Sequence, residues 1–207
     1  MPKFQATLSL EVSGQEAAEA VISSVSALLH QMQVKAKVSE IVSGIKTEVV
    51  VVYTDGGCNL KKGVGAWAYT IQEPGKPIVE GAGPMLETTN NRMEMLAVIK
   101  ALEALEIGLP ILIHCDSEYV IKGVTQWSTN WKRNGWVNSM GKPVVNRDLW
   151  EHLLDLYDLH SVAFKHVKGH SGIEGNERVD ELCTMMMLTV NPALGLIPVD
   201  NKSQIKS

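Results

Sequence analysis

Apolar and polar positions change their spacing several times along the chain. Phe4, Ala6, Leu8, Leu10 and Val12 alternate with polar neighbours, the period of a strand with one buried face. SGQE, Ser13 to Glu16, has the spacing of a helix-capping box. Behind it Ala18, Val21, Ile22, Val25, Leu28, Leu29 and Met32 recur at helical intervals. Val34, Ala36 and Val38 alternate again. Residues 1–45 therefore read as a small strand–helix–strand unit, and SGIKT, Ser43 to Thr47, as a linker. So short a stretch cannot close a large core alone, so it is expected to dock on something.

The pattern coarsens from Glu48. EVVVVYTD, Glu48 to Asp55, is almost wholly apolar, which predicts a strand covered on both faces and closed by Asp55. Val64 to Ile71 is a second strand, EPGKP (Glu73 to Pro77) a turn, and Ile78 to Ala82 holds a third strand. A helix follows from about Asn91 to Glu106, stopped by Gly108 and Pro110. Asn91 and Glu94 stand three apart, a capping-box spacing that puts Glu94 in the first helical turn. Ile111 to Asp116 is a fourth strand, Ser117 to Trp136 short helices, Asn146 to His160 a longer helix and Ser161 to Val167 a last strand. Gly169 to Asn176 is a Gly-rich loop, and a final helix carries Asp180 about one turn in. Alternating strands and helices over 48–188 predict an α/β domain. Residues 189–207, punctuated by proline, read as a flexible tail.

Composition narrows the choices. The net charge of −4 excludes a generic polycation, so any nucleic-acid site must be a local patch. Cys58, Cys115 and Cys183 are scattered and form no C-x-x-C pair. That argues against a zinc site or disulfide framework and suits a cytoplasmic location. The longest apolar run, Val49 to Tyr53, is too short to span a bilayer, and the N-terminus does not read as a signal peptide.

Four acids occupy special places: Asp55 and Asp116 at strand ends, Glu94 at a helix start, Asp180 in the last helix. Singly, each has a bland reading as turn-former, cap or solvated helix residue. Together they describe something else. Ligand sites in α/β sheets favour strand ends, and clustered carboxylates need a cation. Oxygen ligands without a Cys–His cluster favour Mg²⁺ or Mn²⁺ over Zn²⁺. A pair of such ions suits in-line phosphodiester hydrolysis.

At this point the chain resembles the type 1 ribonuclease H family. The matching stretches are YTDGGC, TTNNRMEM, CDSEYV, TQWSTNWKRNGW, VNRDLW and VKGHSGIEGNERVDEL, in the family's order over about 48–188. The resemblance implies an RNase H-like fold, a five-stranded mixed sheet flanked by helices. It implies metal-dependent endonucleolytic cleavage of the RNA strand of RNA–DNA hybrids, leaving 5′-phosphate and 3′-hydroxyl ends. Asp55, Glu94, Asp116 and Asp180 match the family's metal-binding acids for two Mg²⁺ ions, with Mn²⁺ as a substitute. By that match Asp55 bridges both ions, Glu94 and Asp116 join it on the leaving-group side, and Asp180 helps hold the ion that activates water. His170 matches the loop histidine that assists proton transfer or product departure, with Gly169, Gly172 and Gly175 letting its loop move. A non-catalytic scaffold on the same fold is disfavoured because all five residues are present. Transposase-, integrase- and 3′-exonuclease-type relatives lack the full motif set.

Substrate contacts have their own signal. Tyr119 to Arg147 contains no acid but holds Lys122, Lys132, Arg133, Lys142 and Arg147 among Trp127, Trp131 and Trp136. Cations attract phosphates, and tryptophans can pack on sugars. The segment resembles the basic protrusion of bacterial relatives, although at least one tryptophan, Trp127 first, is expected in the core. Asn90, Asn91 and Gln126 match residues near the hybrid's minor groove, and Cys58 and Asn59 match positions facing RNA. Thr89 matches a DNA phosphate pocket, where the nearby Glu87 is a departure that would repel phosphate and Lys61 or Lys62 could compensate. Gly57 and the short loop GGCNLKKGVG also depart from the family pattern. Residues 1–45 carry one aromatic, Phe4, and with Lys46 their charges cancel, unlike the hybrid-binding module of eukaryotic relatives. A self-association or protein-partner role is expected there.

Overall fold

The computed structural model describes residues 48–59, 61, 63–169 and 172–190. The expected unit 1–45, Lys62, His170 and nearly all of the expected tail lie outside the described residues. The described fold belongs to the unit Val49–Ser207.

Five strands make one sheet: β1 (Val50–Asn59), β2 (Val64–Gln72), β3 (Val79–Leu86), β4 (Ile111–Cys115) and β5 (Val162–His166). Their spatial order is β3-β2-β1-β4-β5. β1, β2 and β3 form an antiparallel meander, whereas β4 and β5 join β1 in parallel through helical crossovers. The helices are α1 (Asn90–Glu103), α2 (Glu118–Lys122), α3 (Ser128–Arg133), α4 (Arg147–Leu159) and α5 (Glu174–Leu188), with a π-helical turn at Gly123–Trp127. The mixed α/β sheet expected from the sequence is present.

Side-chain alternation along β1 sorts the two faces. Val50, Val52, Thr54 and Gly56 are buried, and the two valines join the larger core with α1, α2 and α4. Tyr53 points the other way, onto a smaller core of Ala66, Ala68, Val179, Leu182 and Cys183 beneath α5. Trp150 of α4 is fully buried, and its ring fills the space where Gly123 has no side chain. Its indole nitrogen donates to the Tyr119 hydroxyl at 3.2 Å. No helix among the described residues is long and apolar enough to cross a membrane.

Several boundaries differ from expectation. β1 does not end at Asp55 but runs to Asn59, because β2 continues to pair with it through Asn59↔Val64. The expected end exists on one side only: parallel pairing with β4 stops at Thr54↔Cys115. β3 extends past Ala82 through Pro84 to Leu86, which an edge strand tolerates because proline there forfeits no inner ladder bond. The capping box at Asn91 is not formed. Thr89 is the N-cap, its hydroxyl accepting from the Arg92 amide at 3.4 Å, so Asn91 lies inside α1 and Glu94 in its second turn. α1 also ends earlier, at Glu103. α5 begins at Glu174, which moves Gly175 out of the loop and Asp180 nearly two turns in.

Candidate active site

Asp55 and Asp116 each follow the last paired residue of two neighbouring parallel strands, so the sheet itself sets them side by side. Glu94 reaches them from α1 because β1 and α1 touch backbone to backbone. A Cβ on Gly56 would lie 2.1 Å from the Met93 carbonyl carbon and 2.2 Å from the Glu94 nitrogen. Only glycine permits that approach. Asp180 approaches from the opposite face on α5, whose neighbour Cys183 donates its thiol to the Asp55 carbonyl at 3.4 Å. Gly175 lets α5 settle over the Tyr53 ring, which would stand 2.4 Å from an added Cβ.

The electrostatics follow from this crowding. Burial pushes the Asp55 carboxyl up to about 6, and the negative charges of Asp116 and Asp180 push in the same direction. The Gly56 amide, donating to Asp55 Oδ1 at 2.8 Å, partly offsets this. Glu94 is also raised, first by burial and then by Asp116, and is held back by hydrogen bonds from Ser117 and Asn90. The Ser117 hydroxyl donates to Glu94 Oε2 and also accepts from the Val120 amide at 3.3 Å, capping α2. Asp116 lies against the start of the loop that carries position 170, with its Oδ2 at 3.0 Å from where a Gly169 Cβ would sit. Among the described residues no group of three or more His, Cys, Asp or Glu side chains is placed so that it could hold a metal ion. Asp55 lies close enough to Asp116 and Asp180 to feel their charge, and Glu94 close enough to feel that of Asp116.

The predicted substrate residues separate into groups. Asn90 Oδ1 accepts from the Cys58 amide at 2.8 Å, and the Cys58 thiol donates to the Thr88 carbonyl at 3.3 Å. Asn59, Thr89, Asn91 and Gln126 are exposed. Glu87 is exposed and held at φ 51° by its amide's bond to the Gly63 carbonyl. In the protrusion Trp136 is only 9% exposed, with the Arg147 guanidinium 5.3 Å above its ring, so it braces the fold and offers little face to a ligand. Trp131 is half-buried against the main core and packs on Trp127, Trp136 and Trp150. The tryptophan expected in the core, Trp127, is only half-buried; the fully buried one is Trp150. The basic surplus is smaller than the sequence suggests. Lys122 pairs with Glu118, Lys132 with Asp158 at 3.3 Å and Arg147 with Glu151 at 2.8 Å. Lys132 thus meets a carboxylate of α4. Arg133 and Lys142 have no ion pair among the described residues.

Sequence reasoning missed Ser117, Cys183 and Gly56. Ser117 directly follows Asp116 and carries an N-cap signature; the other two act through packing and left no local sign.

The RNase H family model matches residues 47–187. The chain belongs to the ribonuclease H family. Ribonuclease H of Francisella philomiragia is 45% identical over 137 residues, covering 66% of this chain and 90% of that protein. Ribonuclease H of Hahella chejuensis is 46% identical over 148 residues, covering 72% and 97%. The crystal structure of LC9-RNase H1, described as a type 1 RNase H with the type 2 active-site motif, is similar at a TM-score of 0.61 and 28% identity, over 75% of this chain and 80% of that one. The ribonuclease H assignment makes this chain an enzyme, a nuclease.

Proposed function

We propose that this ribonuclease H cuts the RNA strand of RNA–DNA hybrids internally, leaving 5′-phosphate and 3′-hydroxyl ends. In this reading Asp55, Glu94, Asp116 and Asp180 hold divalent cations, Mg²⁺ first, with Mn²⁺ as substitute. The observation that carries it is the placement of Asp55 and Asp116 just past the paired ends of neighbouring parallel strands, with Glu94 brought in by the close approach of α1 at Gly56, in a chain of the ribonuclease H family; the raised Asp55 carboxyl agrees with that crowding. Perturbed acids of this kind cluster at functional sites because the strain is useful there.

The donor set fits a hard cation. It is all carboxylate, hard oxygen with no thiolate or imidazole among the four. Mg²⁺ keeps several waters and takes one or two carboxylates plus substrate phosphate, so it does not require a cage of protein ligands already closed around it. Such ions, when bound, supply activation of the attacking water and neutralisation of the leaving oxygen, by the two-metal-ion route. The chain's own residues do the rest. Ser117 orients Glu94 by its hydrogen bond, and the Gly56 amide orients Asp55. The Cys58–Asn90 link presents an amide-lined wall beside the acids, where 2′-hydroxyls would distinguish a hybrid from duplex DNA. His170, at neutral pH, is suited to move a proton. Arg133 and Lys142 supply phosphate attraction on the protrusion.

The test uses labelled RNA–DNA hybrid, duplex DNA and duplex RNA, each with Mg²⁺ or EDTA. Metal-dependent internal cuts confined to hybrid RNA are expected. Asp116→Asn should abolish nearly all cutting with the fold intact. Folded wild-type protein that cuts nothing, or near-normal turnover by the variant, overturns the reading.

A further inference from the structure

A groove of about 760 Å³ opens beside the acids and has two unlike walls. One is polar and formed by Cys58, Asn59 and Asn90. The other comes from the last turns of α5, where Thr184, Met187 and Leu188 line it. Asn90 joins the groove to the acids. It accepts from the Cys58 amide and also hydrogen-bonds Glu94, one turn further along α1. The apolar wall is unusual in its exposure. Leu188 is 75% exposed at the end of a helix that buries Val179, Leu182 and Cys183 but leaves Met185 exposed as well. The floor is Gly57, and the nearest atom to a Cβ built there is the Met187 methyl at 3.5 Å. Met187 thus borders the space above a residue with no side chain of its own.

We propose that Met187 and Leu188 form a substrate shelf, taking the ribose and base of one RNA nucleotide next to the cut, opposite the polar wall of Cys58, Asn59 and Asn90. The occupant follows from Asn90, which lines the groove and hydrogen-bonds Glu94, so RNA held at the acids lies next to this space. It also follows from the two walls, since a nucleotide offers hydroxyls and phosphate on one side and an apolar sugar and base face on the other. This rests on the hybrid-cleavage reading above. The shelf is a contact by packing, so it acts on binding and not on the chemical step.

The experiment compares full-length wild type with Leu188→Ser and Met187→Ala on a labelled hybrid, measuring KM and kcat over a salt series. Leu188 is exposed, so Leu188→Ser keeps the fold, and circular dichroism checks both variants. KM is expected to rise roughly tenfold, the low end for an apolar contact in a substrate pocket. The kcat and the slope of log KM against log salt stay as in wild type, because every cation that meets a phosphate is still in place. Thr184→Cys should also react by thiol–disulfide exchange with an RNA nucleotide next to the cut that carries a pyridyl disulfide, releasing pyridinethione and forming the mixed disulfide in higher yield than wild type, whose Cys58 lines the same groove. Unchanged KM in folded Leu188→Ser overturns the shelf, as does a loss confined to kcat. A change only in the mass measured by light scattering would assign the groove to a second copy of the chain and likewise overturn it. Wild-type protein that fails to cut hybrid defeats the underlying reading instead, so the two failures are distinct.

Discussion

Asp55→Asn, studied in the full chain in excess chelator, is expected to raise stability near pH 8 while abolishing cleavage. The Asp55 carboxyl titrates near 6 in the fold and near 3.8 in the unfolded chain, because burial and then Asp116 and Asp180 disfavour its charge. Between those two values the folded state holds a proton that the unfolded chain has released. Stability is therefore highest below the unfolded value, falls as pH rises through the folded value, and stays lower above it. A rise from 3.8 to about 6 corresponds to about 3 kcal/mol as a ceiling. Asp55 is partly solvated, which reduces this to about 1–2 kcal/mol. Asparagine keeps the shape and can still accept from the Gly56 amide, so the charge is what changes. For a domain of this size the gain is a melting point higher by roughly 2–8 °C at pH 8, shrinking toward pH 4. Thermal melts followed by circular dichroism in EDTA would measure it. Adding Mg²⁺ should then raise the wild-type melting point more than the variant's, since the wild type has one more buried negative charge to neutralise. A variant that melts at or below wild type at pH 8, with an unchanged spectrum, refutes the idea that these carboxylates strain the fold.

Four other outcomes follow from the packing and charge. Gly56→Ala forces a methyl into the α1 backbone at Met93 and Glu94, and urea unfolding should show a loss of about 3 kcal/mol or more. Trp150→Ala empties the centre of the larger core and orphans the Tyr119 hydroxyl, so the same measurement should give a loss of about 3–5 kcal/mol. Arg133→Ala combined with Lys142→Ala should weaken hybrid binding and flatten its salt dependence by up to about one unit of slope for each phosphate no longer neutralised, read by fluorescence anisotropy in EDTA. Lys122→Ala should change that slope less, because its partner Glu118 already offsets its charge.

Much of the architecture was readable because burial leaves a period. The runs Val49 to Tyr53 and Ile111 to Cys115 marked inner strands, and the stripe through α4 marked a helix with one buried face. The order of Asp55, Glu94, Asp116 and Asp180 along those elements pointed to one family before any distance was known. Local spacing was a weaker guide where two signals competed. The spacing of Asn91 and Glu94 pointed to a cap at Asn91, but the hydrogen-bond geometry puts the cap at Thr89. The free-cation count of the protrusion misled for a similar reason. Glu118 and Glu151 lie just outside the acid-free segment, yet one helical turn brings them onto Lys122 and Arg147.

The alternation of strands and helices and the identity of the four acids are thus written in residue type and period, and the chain carries them openly. Packing settled the rest: that β1 outruns its parallel partner at Asp55, that Gly56 lets α1 bring Glu94 alongside, and that Cys183 and Ser117 support the carboxylates from behind. Those are contacts between residues tens of positions apart in the chain. Their closeness depends on how elements pack, and no local pattern of apolar and polar residues records it.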